Sequence, residues 1–281
     1  MSDRILLCSD LDRTILPNGR HPESPQAREL LARVAARPEV TLVYVTGRHE
    51  ALIHDAIREF QIPEPDYAIG DVGTTIYEIR DGNWTLDKAW SDEIGFDWQG
   101  RTHRQLSEIL KDVRAIELQE EEQQNCHKVS YYAKEKADLD QLLPAVRKLL
   151  APHGIRASLI WSVDEAKHVG LLDVLPESAT KLHAIRFLMR QKGFSDEKTV
   201  FAGDSGNDLP VLASGVQAVL VRNASDDVRR AALEQARANG SGDCLYLAQG
   251  GFLGMNGNYC AGVLEGLAHF LPMTQRWMTQ T

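Results

Sequence analysis

Short apolar runs alternate with amphipathic segments along the first part of the chain. Residues 5–8 are a continuous apolar run without helical spacing, and residues 40–45 are an apolar, β-branched run, which predicts two buried strands of a parallel sheet. Each run precedes a segment whose apolar residues share one helical face, first Leu30, Leu31 and Val34, and then Ile53, Ala56, Ile57 and Phe60. Ser24 is predicted to cap the first helix, with Pro25 at its first position. This order predicts a doubly wound α/β domain with right-handed connections.

The pattern changes after a third predicted strand at residues 66–69. Glycine-rich turns there favour hairpins over another helix, and the following segment is acid-rich and less regular. It contains predicted helices at 105–113 and 138–150 and predicted strands at 128–133, 155–161 and 170–174. We therefore expect an inserted α+β domain at residues 84–173, which covers the mouth of a core formed by residues 1–83 and 174–281.

The α/β pattern resumes in the last third of the chain. A predicted helix opens at Thr180 and Lys181, and short apolar strands follow at 199–202 and 218–221. Ser225 is predicted to cap the next helix, and a final helix is predicted at 261–270. The predicted fold class is therefore α/β, with a doubly wound parallel-sheet core and an inserted α+β cap domain.

Composition and charge exclude several classes of protein. Of the 281 residues, 43% are apolar and 25% are charged, which is typical of a soluble globular chain. With 31 basic and 40 acidic residues the formal charge is -9, which argues against a nucleic-acid partner. The four cysteines are scattered without zinc spacing, and we interpret them as reduced thiols. Because no signal peptide or membrane-spanning run is evident, we expect a cytoplasmic protein without a membrane partner.

Two carboxylates stand where the first predicted strand ends. Asp10 and Asp12 lie two residues apart, so in an extended chain they share a face at the carboxyl end of the strand, where ligands of parallel sheets bind. Two anions so close together need a divalent cation or a shared proton. The alternative is a surface loop, because Asp-x-Asp is common by chance.

Polar groups also follow the other predicted strands of the core. Thr46 and Gly47 follow the second strand, Lys181 begins a helix, and a Gly-Asp-x-Gly-Asn-Asp sequence from Gly203 to Asp208 follows the strand at 199–202. Taken singly, Thr46 could belong to a plain turn and Lys181 could be a solvated helix residue. Taken together, their order predicts phosphoryl transfer through a covalent intermediate on a carboxylate.

Each polar group has a predicted role in that chemistry. Asp10 is the better nucleophile, and Asp12 is the general acid and base. Mg²⁺ held by Asp10 and Asp204 would neutralise the site, while the Thr46 hydroxyl and Lys181 would bind the phosphate. Asn207 could also donate to a phosphate oxygen, and Asp208 could hold Lys181 or orient a metal-bound water.

These residues resemble the four motifs of the haloacid dehalogenase superfamily of phosphohydrolases, in the family's order. Residues 10–14, Thr46, Lys181 and residues 203–208 carry the resemblance, and the insertion between the second and third motifs is typical of its sugar-phosphatase branch with a type IIB cap. Residues 127–132, 173–176 and 260–263 are further similar to phosphatases of sucrose 6-phosphate, mannosylfructose phosphate and glucosylglycerol phosphate. Arg13 stands where many members have glycine, and Leu182 where close relatives often have glycine.

The resemblance implies a specific set of site residues and partners. It implies Mg²⁺-dependent hydrolysis of a phosphorylated sugar, with the backbone carbonyl of Asp12 as a further metal ligand and with Gly47 at the phosphate. It also implies that cap residues select the sugar, and that the protein associates with a glycosyltransferase or sugar-phosphate synthase. The candidate sugar contacts are Arg48, Lys128, Tyr131 and Trp161; a core tyrosine, or a tryptophan at a domain seam, would have the same appearance in sequence.

Three other functions share part of this pattern. A phosphosugar mutase also forms a phospho-aspartate but returns the phosphoryl group to a sugar. A phosphoacceptor signalling module uses a similar acidic pocket, but the long insertion argues against one, because a lid serves to exclude water and to shape specificity. A catalytically inactive binding protein is disfavoured because no motif acid is missing.

Overall fold

Apolar strands from both ends of the chain meet in one eight-stranded sheet. The structure is a computed structural model that describes residues 4–164 and 167–279. The chain divides into two units, which we call the core unit (Met1–Leu86 and Lys181–Thr281) and the inserted unit (Asp87–Thr180). No helix in the described ranges is both long and apolar enough to cross a membrane.

The strands and helices of the described residues have the following bounds. The strands are β1 Ile5–Ser9, β2 Val40–Val45, β3 Tyr67–Gly70, β4 Thr75–Arg80, β5 Asn83–Leu86, β6 Ile116–Leu118, β7 Val129–Lys134, β8 Ala157–Asp164, β9 Val169–Pro176, β10 Thr199–Gly203, β11 Gln217–Leu220 and β12 Leu245–Leu247. The helices are α1 Ala27–Ala35, α2 Glu50–Phe60, α3 Lys88–Gly95, α4 His103–Leu110, α5 Leu139–Leu150, α6 Lys181–Lys192, α7 Leu209–Leu212, α8 Asp226–Ala238, α9 Cys260–Phe270 and α10 Gln275–Thr279.

The sheet of the core unit runs in the order β12-β11-β10-β1-β2-β3-β4-β5. Its first six strands are parallel, and β4 and β5 add an antiparallel edge. All five residues of β1 are buried, as a central strand covered on both faces requires. In register, Ser9 pairs with Ala202 of β10 and with Tyr44 of β2, so the carboxyl ends of these three strands lie side by side. The predicted fold class is confirmed.

The inserted unit is an antiparallel sheet with the order β6-β7-β9-β8. Alternate residues of β7, such as Val129 and Tyr131, are buried in one apolar cluster with Trp98 and with residues of α4 and α5. This alternation follows from the period of two along a strand. The predicted α+β character of the insertion therefore holds within this unit.

Both predicted domain boundaries differ from those of the structure. The boundaries at 83/84 and 173/174 cut through β5, which pairs with β4 in the core sheet, and through β9, which pairs with β8 as far as Pro176. The observed divisions fall after Leu86 and after Thr180. A strand cannot be split without breaking its ladder of backbone hydrogen bonds, so the first boundary shifts to the end of β5 and the second to a point beyond the end of β9.

One of the two predicted helix caps is present in the structure, and the other is not. Ser225 caps α8, because its side chain accepts a hydrogen bond from the N-H of Val228. Ser24 does not cap α1, which begins later, at Ala27. The Ser24 hydroxyl instead accepts a hydrogen bond from the N-H of Asn256, a residue far along the chain. The prediction that Ser24 caps α1 was wrong, because its hydroxyl forms a tertiary hydrogen bond with Asn256.

Candidate active site

Three strand ends carry the candidate acids and the threonine to one edge of the core sheet. Asp10 follows β1, and its N-H donates to the carbonyl of Ala202 in β10 at 2.9 Å. The N-H of Thr46, after β2, donates to the carbonyl of Ile69 in β3 at 2.8 Å. Asp204 follows β10, and the Thr14 hydroxyl donates to its Oδ1 at 3.3 Å. The sheet register therefore brings Asp10, Thr46 and Asp204 together, as the sequence predicted.

Lys181, the first residue of α6, lies between two buried carboxylates. Its Nζ donates to Oδ1 of Asp10 at 3.0 Å and to Oδ1 of Asp208 at 2.7 Å. The three side chains are between 0% and 7% exposed. Burial alone would lower the pKa of Lys181, but the two carboxylates raise it above its usual value, so the ammonium keeps its charge. Lys181 therefore provides a fixed positive charge beside Asp10.

Asp208 organises the loop that carries Asp204. Its Oδ2 accepts hydrogen bonds from the N-H groups of Asp204 and Ser205 and from the Ser205 hydroxyl, each at 3.1 Å. A Cβ atom on Gly203 would lie only 2.6 Å from this carboxylate, so glycine is required there for the close approach. Asp208 thus holds both Lys181 and the loop, which is one of the two roles that the sequence suggested for it.

Asp12 is bound by Arg48 in a bidentate ion pair. Arg48 Nη2 donates to Oδ1 of Asp12 at 2.7 Å, and Nε donates to Oδ2 at 2.9 Å. The amide of Asn18 donates to Oδ1 at 2.7 Å. Burial raises the pKa of Asp12, but the hydrogen bonds and charge of Arg48 outweigh it and hold the pKa below its usual value. In this conformation Arg48, a candidate sugar contact, instead keeps Asp12 ionised.

The backbone at Arg13 explains why glycine is common at this position in the resembling family. Arg13 has a φ of 57°, in the left-handed region that glycine adopts most easily. Two asparagines fix it there: Oδ1 of Asn18 accepts from the Arg13 N-H at 2.8 Å, and Nδ2 of Asn223 donates to the Arg13 carbonyl at 2.6 Å. Sequence reasoning missed Asn18 and Asn223; the departure from glycine at Arg13 was the available signal.

Three of the four candidate phosphate-binding residues line a pocket of about 280 Å³, and the fourth, Lys181, is buried behind Asp10 and is not part of its lining. Thr46, Gly47 and Asn207 contribute to it together with Asp10, Asp12 and Asp204, and with Arg13, Arg48, Leu52 and Ser205. The Ser205 hydroxyl shares its single proton between the Asn207 amide oxygen, at 2.7 Å, and Oδ2 of Asp208, at 3.1 Å, and the first contact orients the exposed Asn207 side chain. The pocket is of a size to accept a phosphate group and is lined by both donors and acids.

Three acids of the site fit a divalent cation. Asp10, Asp204 and Asp208 each offer a carboxylate oxygen, and these oxygens lie within 4.8 Å of one another. Oxygen ligands of this kind suit Mg²⁺. Burial and neighbouring carboxylates raise the pKa of Asp204 to about 6, and burial raises that of Asp10 to about 7 despite Lys181. Such shifts are expected where acids are gathered without a compensating cation. The Asp12 carboxylate lies outside the group because Arg48 and Asn18 bind it.

These shifts predict a pH dependence of stability without metal. Because the folded pKa values of Asp10 and Asp204 exceed the ordinary carboxyl value near 4, the folded state binds more protons than the unfolded state between about pH 4 and pH 7. The free energy of unfolding should therefore fall by several kcal/mol as the pH rises through this range. Urea denaturation in EDTA at several pH values measures it.

The control for this prediction is Asp227→Asn, which changes an exposed carboxylate and should leave the slope unchanged. Asp204→Asn should reduce the slope, because it removes one of the two groups. Saturating Mg²⁺ should stabilise the wild type more at pH 7.5 than at pH 5, since a cation binds the ionised carboxylates. A flat profile in EDTA would contradict the raised pKa values.

The structure places the remaining candidate sugar contacts in the inserted unit. Tyr131 is 4% exposed and belongs to the apolar cluster, so its position fits the core alternative. Trp161 is half-buried against that cluster, with its ring over Gly170, where an added Cβ would lie 2.0 Å from the ring. Lys128 is buried, and its backbone bonds to that of Asn125. All three residues are therefore buried or half-buried within this unit.

Solved structures share the fold of the chain. A sucrose-phosphatase from Synechocystis, solved in complex with sucrose and phosphate, matches 95% of this chain and 98% of its own, with a TM-score of 0.69 and 27% identity. A haloacid dehalogenase subclass IIB sugar phosphatase has the same fold at a TM-score of 0.51 and 17% identity, over 81% of this chain and 91% of its own. The fold and the site define the class: a phosphatase of the haloacid dehalogenase superfamily.

Sequence comparisons narrow the class to a family. A family model described as sucrose-6F-phosphate phosphohydrolase matches residues 3–271, and the chain belongs to that family. A HAD-like hydrolase of Nitrosococcus oceani is 58% identical over 99% of this chain and 75% of its own. The mannosylfructose-phosphate phosphatase of Agrobacterium fabrum is 28% identical over 94% of this chain and 96% of its own. The chain spans 52% to 59% of the length of the plant sucrose-phosphatases that it matches.

Proposed function

We propose that the protein is a Mg²⁺-dependent phosphatase that hydrolyses a glycosyl phosphate through a phosphoryl group carried by Asp10. The observation that carries the proposal is the position of Asp10, which lies at the end of the central strand with Lys181 Nζ 3.0 Å from its Oδ1. The fixed cation offsets the repulsion between a carboxylate and a phosphate dianion. The family match and the named relatives support a phosphorylated sugar as substrate.

The proposed reaction has two steps on the same carboxylate. Asp10 attacks phosphorus to form an acyl phosphate, the bond from phosphorus to the sugar oxygen breaks, and that oxygen takes a proton from Asp12. Water then attacks the acyl phosphate, loses a proton to Asp12 and releases inorganic phosphate and free Asp10. Thr46, Gly47, Lys181 and Asn207 bind the phosphoryl oxygens through both steps, by hydroxyl, backbone, ammonium and amide donors.

The acid role of Asp12 requires Arg48 to release it. The bidentate pair keeps Asp12 ionised, and an ionised carboxylate accepts protons but does not donate them. The leaving sugar oxygen needs a donor, so Arg48 must leave Asp12 before the first step. A phosphate or sugar hydroxyl that binds the Arg48 guanidinium would have this effect, which keeps Arg48 a candidate substrate contact.

The divalent cation would be held by Asp10 and Asp204, with the Asp12 carbonyl as the further ligand that the family resemblance implies. Asp208 is the less suitable ligand of the three clustered acids, because Lys181 and three donors of the loop already bind its oxygens. When bound, Mg²⁺ would act as a Lewis acid on the phosphoryl group and neutralise the acids.

The inserted unit is proposed to select the sugar, with Lys128 and Trp161 as its candidate contacts. The proposed substrates are sucrose 6-phosphate, mannosylfructose phosphate and glucosylglycerol phosphate, which the named relatives and the sequence resemblance favour. We also propose that the protein associates with a glycosyltransferase or sugar-phosphate synthase, as the family resemblance implies, and that it is cytoplasmic.

Phosphate release across a panel of substrates tests this function. Each of the three glycosyl phosphates and a simple hexose 6-phosphate is incubated with purified protein and Mg²⁺, and kcat/KM is measured for each. We expect one glycosyl phosphate to exceed the hexose phosphate by about 10-fold or more, because a sugar-binding unit adds contacts that the smaller substrate lacks. EDTA should abolish release, and excess Mg²⁺ should restore it.

Two other outcomes would replace the proposal. Conversion of a hexose 1-phosphate to its 6-phosphate without net phosphate release would identify a mutase. A phosphoprotein that persists without turnover would identify a phosphoacceptor module. Equal and weak turnover of every substrate would retain a phosphatase and reject the glycosyl phosphates as its substrates.

A further inference from the structure

A second and larger cavity opens beside the candidate active site in the core unit. Its volume is about 960 Å³, compared with about 280 Å³ for the pocket around Asp10. The two share Arg13, Asp204 and Ser205. The size is that of cavities that bind ligands of nucleotide size. Apart from Asn18 and Asn223, which hold Asp12 and Arg13, the remainder of this cavity has no role in the proposed phosphatase reaction.

Four arginines line this cavity, which we call the arginine cavity: Arg13, Arg20, Arg222 and Arg229. His21 lines it as well, and Asp204 and Asp226 are its acidic residues. The basic groups therefore outnumber the acids, in a chain whose formal charge is -9. A concentration of guanidinium groups against the overall charge of the chain favours an anionic ligand.

The guanidinium groups of the cavity are poorly matched with carboxylates. Within the described residues, Arg20, Arg222 and Arg229 form no ion pair. Arg222 and Arg229 bond to the backbone carbonyls of Asn256 and Arg222, respectively, at 3.1 Å each. These contacts orient the side chains and leave their charges uncompensated.

Neighbouring arginines outside the cavity behave differently. Arg230, the next residue of α8, pairs with Asp227 at 2.6 Å. Arg28 pairs with Glu23 at 2.8 Å. Arg13, at the entrance shared with the smaller pocket, contacts Asp204 only at 3.5 Å, and its side chain is 59% exposed. Missing ion pairs are not confined to the cavity, because Arg237 and Arg276 of the core unit also form none within the described residues. The cavity is distinguished by the several guanidinium groups that line one surface.

The walls of the cavity are fixed by partly buried hydrogen bonds. The buried Tyr259 hydroxyl accepts from the N-H of His21 at 3.2 Å and donates to the His21 carbonyl at 3.1 Å, which fixes the loop that carries Arg20. Tyr259 itself has a φ of 52° and ψ of -133°, a conformation unusual for any residue other than glycine. Asn223 Oδ1 accepts its N-H at 2.8 Å. A strained residue held by several bonds indicates a site that is preorganised.

We propose that the arginine cavity binds a small molecule that carries at least two phosphate groups, at a site distinct from that of the phosphatase reaction. Several guanidinium groups on different loops suit a ligand with several anionic centres, since each planar group can bind one phosphate through paired hydrogen bonds. A single phosphate group would engage only part of this surface. The residues at the start of α8, Ala224 to Asp226, also line the cavity and do not by themselves define the site.

Isothermal titration calorimetry of the metal-free protein with tripolyphosphate tests this proposal. We expect saturable binding that weakens as salt is added, because the contacts are ionic. Arg222→Gln and Arg229→Gln should each weaken the affinity by about 10-fold, as the loss of charge-assisted hydrogen bonds predicts. Arg230→Gln is the matched control: it makes the same change one residue further along α8, outside the cavity, and should leave the affinity within about 2-fold.

The source of the phosphate groups is tested with ATP, pyrophosphate, AMP and orthophosphate. Tighter binding of ATP than of tripolyphosphate would indicate a nucleotide, and equal binding would indicate that the phosphate chain alone is recognised; both support the proposal. AMP or orthophosphate binding as tightly as tripolyphosphate would overturn the requirement for two phosphate groups.

Two further results would overturn the site itself. The first is that tripolyphosphate shows no detectable binding. The second is that Arg222→Gln and Arg229→Gln leave the affinity as unchanged as the control Arg230→Gln does, which would place the anion elsewhere. If Arg222→Gln or Arg229→Gln does not fold, Arg20→Gln provides the same test, because this exposed side chain forms no hydrogen bond within the described residues. The readout is binding, so loss of the proposed phosphatase activity would not affect it.

Discussion

Asp10→Asn should lower kcat for phosphate release by about 10⁴-fold or more, because an amide cannot form the acyl phosphate that divides the reaction into two steps. Folding should survive the change. Lys181 would keep its bond to Asp208, and the substitution removes a buried acid whose pKa burial has already raised to about 7. Steady-state phosphate release, measured beside a urea denaturation curve of the same sample, separates lost chemistry from lost structure.

Asp227→Asn is the control for Asp10→Asn. It makes the same chemical change at a carboxylate that is 90% exposed and pairs with Arg230, and it should retain wild-type kcat. Activity of Asp10→Asn above about 1% of wild type would reject Asp10 as the nucleophile. A folded Asp10→Asn without activity, together with an active Asp227→Asn, would support it.

Lys181→Met should destabilise the core unit by about 3–5 kcal/mol in EDTA, since it leaves Asp10 and Asp208 buried without their shared cation. Part of the loss should return on addition of Mg²⁺, which can replace the missing charge. Urea denaturation with and without Mg²⁺ measures both effects. The double variant Lys181→Met with Asp208→Asn should recover part of the loss as well, because it removes one of the two stranded acids.

Lys192→Met is the matched control for Lys181→Met. It changes the last residue of the same helix, where Nζ lies 3.4 Å from Glu78 at a more exposed position, and should cost about 1 kcal/mol or less. If the two variants were equally stable in EDTA, the network of Lys181 with the two acids would not contribute to folding in the way described.

The sequence was sufficient to predict the central sheet and the strand ends. Residues 40–45 form β2 with the predicted bounds, because a β-branched apolar run that ends at Thr46-Gly47 has no competing helical period. Asp10, Thr46 and Asp204 then meet as a consequence of parallel register, which depends on pattern and not on side-chain detail.

Short elements were less predictable. The helix α3 was missed, although Asp87 accepts a hydrogen bond from the N-H of Trp90 as an N-cap should, because only a few apolar positions repeat along its eight residues. The strands β6 and β12 have three residues each, too few for an alternation to be recognised. They form strands because they pair with β7 and β11, respectively, and such pairing is not visible in a local pattern.

The side-chain pairings of the site could not be predicted. Arg48 and Asp12 are separated by 36 residues, and no local pattern signals their ion pair. The same holds for the arginine cavity, whose walls come from loops after β1, β10 and β11. Tyr131 illustrates the reverse case: an aromatic residue that suits a sugar also suits a core, and only the packing distinguishes them.

The point at which the chain returns to the core unit has a consequence for protein engineering. The inserted unit is one continuous segment with its own apolar cluster, so it is a natural module for exchange between related enzymes. The two junctions differ, however. The first follows an edge strand, whereas the second leads directly into Lys181, between Asp10 and Asp208. In a chimera, residues can therefore be inserted or removed after Leu86, whereas any change of length at Thr180 would displace Lys181 from Asp10 and Asp208.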